Sequence, residues 1–143
     1  MVAMLDPALA FQTAVRAALV ASPAVLALVP ADHIRAGASR PSKLPSVILA
    51  DAQTEFLGCA AGSQRVARVY LILHVWAQED GADTARQIGA AVYEALQFGP
   101  SDTVDISLDE WHQPRVVWLR DPKPELSLTH GVFSLEAVVR WRV

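Results

Sequence analysis

The chain has one cysteine, Cys59, in 143 residues. That excludes an internal disulfide, so packing and hydrogen bonds must hold the fold together, as in a reducing compartment. Charge is also scarce. Charged residues are 19% of the chain, against roughly a quarter in an ordinary globular domain. The net charge is −3, which argues against a protein whose main task is to neutralise nucleic-acid phosphates. Mean hydropathy is +0.27, yet no apolar run approaches the ~18 residues of a membrane-spanning helix. The opening MVAMLDPALA has neither a basic n-region nor a signal-like apolar core, so no export signal is expected.

Chemical signatures are missing too. His33, His74, His112 and His130 stand at no metal-ligand spacing from one another or from Cys59. Asp102, Asp105, Asp109 and Glu110 lack the spacing and central glycine of a calcium loop. Gly58, Gly62 and Ser63 lack the Gly-Lys-Ser/Thr ending of a phosphate loop. Cys59 has no paired base, so it reads as a small loop hydrophobe. His74 reads as a hydrogen-bonded structural imidazole. Glu110-x-His112 is the nearest thing to an acid/base pair, but in a polar segment a surface pair is the expectation. No catalytic, cofactor-binding or metal-binding residue is assigned, and no enzymatic activity is expected.

What is present is apolar patterning, centred on RVARVYLILHVWAQ, Arg65 to Gln78. This reads as a long central strand. Ala67, Val69, Leu71, Leu73, Val75 and Ala77 share one aliphatic face that should meet helices. Val66, Arg68, Tyr70, Ile72, His74 and Trp76 share the other, too apolar for free solvent and too polar for a sealed core.

Around it, Asp6-Pro7 is a helix start, with Asp6 as N-cap and Pro7 at the first position. Phe11, Val15, Ala18 and Leu19 then form one stripe. Ser22-Pro23 repeats the signal and predicts a short helix over 24–29. Residues 31–45 read as an exposed connection, 46–51 as a short strand, and 52–64 as a loop or loosely paired hairpin carrying Phe56, Leu57 and Cys59. A helix capped by Asp80 or Asp83 should run to about Gln97 on Ala85, Ile88, Val92 and Leu96, with Gly89 allowing close approach to the sheet. Gly99-Pro100 closes it. Residues 101–114 read as a polar connection, 115–120 as a third strand, 121–131 as a long connection, and 132–143 as a last strand alternating buried and wet residues. One α+β domain is expected, with an antiparallel sheet of about four strands and the N-terminal and middle helices packed on one face.

These elements resemble a known family. The Ala-rich N-terminal helix leads to PAVLALV, then a proline-bounded PSVIL strand, then LHVWAQEDGADTARQIGAAVYEAL, and finally HGVFSLEAVVR. Over roughly residues 6–142 the pattern is similar to the tail-completion, or tail terminator, family of long-tailed phages and gene transfer agents, of the minor tail protein U type. The resemblance implies a non-enzymatic virion protein forming a ring, commonly six-fold, that caps the tail tube and ends its polymerisation. The implied partners are further copies of the chain, the tail tube protein and the head–tail connector or stopper, with DNA only as passing cargo and no membrane. The implied place is the bacterial cytoplasm during assembly and then the head–tail junction of the particle. Burial pattern makes Phe56, Leu57, Tyr70, Ile72 and Trp76 candidates for subunit joints, and Arg115, Arg120, Arg140 and Arg142 candidates for intersubunit ion pairs. The alternatives are a tail-tube or head-completion protein, a non-viral α+β adaptor or binding module, and a small hydrolase drawing on Glu110, His112 or Cys59.

Overall fold

The computed structural model describes residues 4–78, 83–120 and 127–143. Helix α1 (Pro7–Val20) starts as its sequence dictates: the Asp6 carboxylate accepts the Leu9 N–H at 3.0 Å, and Pro7 takes the first position. Phe11, Val15 and Leu19 are fully buried beneath it. Ser22 caps α2 (Pro23–Leu26) by accepting the Val25 N–H at 3.3 Å. This helix is shorter than expected, although the Val29 N–H still reaches the Val25 carbonyl at 2.8 Å. Helix α3 (Asp83–Leu96) has Asp83 in its first turn, where a carboxylate suits the positive end of the helix dipole. Its stripe of Ala85, Ile88, Val92 and Leu96 is fully buried.

Six strands form one sheet: β1 (Ile34–Ala36), β2 (Ser46–Cys59), β3 (Gln64–Gln78), β4 (Ser107–Trp111), β5 (Arg115–Arg120) and β6 (Leu128–Arg142). Their order is β1-β2-β3-β6-β4, with β5 also on β6. The class α+β holds, but the sheet is larger than four strands and is mixed. β1 runs parallel to β2, whereas every other pair is antiparallel. Since β3 occupies one edge of β6 along its length, β4 and β5 must lie end to end along the other. β4 faces 137–140 and β5 faces 129–134, and the His112 N–H bonds the Glu136 carbonyl between them at 3.1 Å.

The alternation expected for β3 is found. Ala67, Val69, Leu71, Leu73, Val75 and Ala77 join Phe133, Leu135, Ala137 and Val139 of β6 in the core beneath α1 and α3. Among the described residues the opposite sheet face carries no helix.

Three segment readings change, and for 52–64 the paired-hairpin alternative holds. The connection 31–45 contains a 3-10 turn (Ala31–His33) and β1, held by Arg16 of α1, whose Nε donates to the Ile34 carbonyl at 2.9 Å. The stretch 52–59 is the continuation of β2, paired with β3 across two bulges. Polar Ser107–Trp111 is the edge strand β4, anchored by Leu108 and Trp111 against the core. β6 begins at Leu128, four residues before 132. Asp80 as a cap, the turn at 79–81 and the connection over 121–126 lie outside the described residues.

Candidate functional site

Strand register assembles the helix-free face in rows. Ala50, Ile72, Ser134 and Arg115 lie abreast across β2, β3, β6 and β5, followed by the row Ile48, His74, Val132 and Val117. Towards the other end, Tyr70 faces Glu136, and Arg68 faces Val138, which faces Glu110.

At that end four polar groups meet. Arg68 Nη1 lies 2.9 Å from Glu136 Oε2 and 3.4 Å from Glu110 Oε2. His112 Nε2 lies 3.3 Å from Glu136 Oε2 and 3.6 Å from Glu110 Oε2. Partial desolvation opposes the Arg68 cation. The hydrogen bond to Glu136 and the nearby Glu110 and Glu136 charges outweigh it, and the guanidinium pKa lies above the ordinary arginine value. General acid/base work needs a carboxylate or imidazole free to reach a substrate proton. Here both carboxylates share one arginine, so the group works as an ion-pair bridge joining β3, β4 and β6. Glu110 and His112 do converge, but Cys59 is elsewhere, at the end of β2, with Arg65 Nη1 3.3 Å from its sulfur.

A second cluster sits at the opposite end of the face. His74 Nδ1 and His130 Nε2 are 2.8 Å apart, and His74 Nε2 is 3.2 Å from Asp51 Oδ2. The His130 ring stacks on Trp76 with centroids 3.8 Å apart and planes 8° from parallel. Trp76 Nε1 donates to the Ser39 carbonyl at 2.7 Å, and the Arg40 guanidinium lies over the indole at 5.1 Å. The chain's own segment at 39–40 therefore covers Trp76, which is buried. His74 is the hydrogen-bonded imidazole expected of it. Its contact with His130 was not foreseen, although both histidines fall on even positions of β3 and β6, and strand parity puts them on one face. Among the described residues no group of three or more His, Cys, Asp or Glu is placed to hold a metal ion.

The other joint candidates are spread over the molecule. Tyr70 and Ile72 are half-buried on the helix-free face. Phe56 and Leu57, 70% and 45% exposed, lie on distal β2. Phe56 lines an open cleft with Arg65, Val104, Arg140, Trp141 and Arg142. Arg140 is engaged within the chain, its Nε lying 3.2 and 3.1 Å from the Asp109 carboxylate oxygens. Arg115 and Arg120 bound β5, between them Val117 and Leu119, 59% and 47% exposed on the helix-free side. Those two apolar residues are not singled out by sequence, where RVVWLR reads simply as a third strand.

A chain of the virion of a native gene transfer agent (GTA) particle has the same fold. It superposes with a TM-score of 0.67 at 22% identity, covering 94% of this chain and 99% of that one. None of the curated proteins matches. The family described as tail completion protein gp17 matches residues 13–140, from within α1 to within β6, and the chain belongs to that family.

Proposed function

We propose that the protein is a structural virion component that closes into a ring, of six copies, on the end of a tail tube. There it would stop tube growth and offer the surface on which the head connector or stopper docks. Membership of the tail completion family supports the role, and the fold shared with a chain of a gene transfer agent virion supports a place in such a particle. The observation that carries the ring is the pair of open sheet edges. Among the described residues the outer sides of β4 and β5, and on the opposite side of the sheet the outer side of β2 beyond Leu49, have no strand partner. Unlike edges on opposite sides of one sheet are what head-to-tail association into a closed ring requires.

In this reading the partners are further copies, the tail tube protein and the head connector, with DNA passing through the lumen. A net charge of −3 suits a passage that must not hold DNA. The role requires no catalysis, in keeping with Glu110 and Glu136 being tied to Arg68. The protein would wait in the bacterial cytoplasm and finish at the head–tail junction.

Native mass spectrometry over a wide concentration range, with negative-stain images after adding tail tubes, tests the proposal. Rings, or protein recruited to one tube end, are expected. A protein that stays monomeric and ignores tube ends overturns it.

A further inference from the structure

We infer that the ring joint is an antiparallel strand pairing between distal β2 (52–59) of one copy and the outer edge of β5 of the next. This rests on the ring proposed above and specifies its partner surface. Each edge has no strand partner among the described residues and carries exposed apolar side chains: Phe56 and Leu57 on one, Val117 and Leu119 on the other. An edge with both features is a template for a further strand. The sheet faces match for the charged residues and for Phe56, while Val117 and Leu119 lie on the helix-free side with Glu55. Glu55 lies opposite Arg68, on the helix-free side, as Arg115 does. Phe56 lies opposite Ala67, on the helix side, as Val116 and Trp118 do.

Charge selects this pairing over the other one available. With copies side by side at one level, distal β2 would meet β4, because both lie beside the same stretch of β3 and β6. That would set Glu55 level with Glu110 and beside Asp109, and would set Arg35 of β1 level with Val117, next to Arg115 on the same face. Like charges directly opposite across strands are destabilising. Staggering each copy along the strand direction sets the acidic edge, with Asp51 and Glu55, against the basic β5 instead. A stagger is also what closing a sheet on itself demands.

Cys59, exposed and the chain's one cysteine, lies at the end of distal β2 and reports the register directly. With antiparallel pairing it falls near the start of β5 in the next copy. The experiment compares Arg115→Cys, Ser107→Cys and, as an exposed site away from both edges, Leu9→Cys. Each full-length protein is treated with a short bismaleimide, and a Cys59→Ser version of each serves as control. At about ten micromolar protein, a joint that holds two thiols at millimolar effective concentration should link them on the order of a hundredfold faster than free encounter.

The expected result is fast linkage of Arg115→Cys into a ladder of multimers, lost on Cys59→Ser, with Leu9→Cys slow. Fast linkage of Ser107→Cys instead shows the level pairing and overturns the inference while leaving the ring intact. Rings that form with neither variant linking overturn it in the same way. Linked ladders that never close support the joint and count against the ring. No linkage and no ring removes both.

Discussion

Trp118 of β5 lies across Gly131 of β6 so closely that a Cβ on Gly131 would sit 2.5 Å from the indole. On its other side, a Cβ on Gly89 of α3 would sit 2.6 Å from the same ring. The indole therefore fills a slot left by two absent side chains and clamps the edge strand to the helix. Gly131→Ala should overpack this slot and lower stability by about 1–3 kcal/mol. Denaturant melts of a double-mutant cycle with Trp118→Ala check it. The alanine at 131 should cost much less once the indole is gone, and equal costs in both backgrounds would show that the slot is not responsible.

Leu73, at the middle of β3, is fully buried in the main core. Leu73→Ala should cost about 2–5 kcal/mol, as buried leucine truncations do when the site collapses only in part. Urea unfolding measures it. A loss below about 1 kcal/mol would mean that the space is refilled by neighbours.

Replacing Arg68 by glutamine should leave Glu110 and Glu136 facing each other without the guanidinium between them. Thermal melts at low and high salt should show a deficit against the parent that shrinks as salt rises, because repulsion between part-exposed carboxylates is screened. A deficit independent of salt would place the role of Arg68 in packing of its alkyl stem.

The Trp76 N–H holds the Ser39 carbonyl at 2.7 Å. Trp76→Phe keeps an aromatic ring beside His130 but removes the donor. It should cost about 0.5–1.5 kcal/mol and raise the rate of proteolytic cleavage within 38–45. Unchanged cleavage would show that this segment is held by other contacts.

Much of the fold was legible because it is written in local physics. Asp6-Pro7 and Ser22-Pro23 mark helix starts through groups a few residues apart, and both caps are made. The stripes of α1 and α3, and the alternation along β3 and β6, give the buried face of each element from side-chain period alone. The helix-free face of β3 was likewise recognisable as half-apolar. Its cover was not, because the Trp76–Ser39 bond joins residues 37 apart in the chain.

The segments hardest to read share one cause. β1 and β4 are only three and five residues long, and distal β2 has no regular alternation of buried and exposed residues, so none carries a periodic signal that sets it apart from a loop. They are strands because an already formed neighbour offers them backbone groups, and such pairing leaves almost no trace in composition. The same holds for the polar clusters. Glu110 and His112 are close in sequence, but Arg68 and Glu136 come to them only through the registers of β3 and β4 on β6. The sequence by itself determined which face of each regular element is buried, where α1 and α2 begin, and that the class is α+β, since these depend on neighbours within a few residues. Only the tertiary structure decided the six-stranded mixed sheet, the meeting of the ionic groups and the open edges at β5 and distal β2, because each depends on which distant strand supplies the partner.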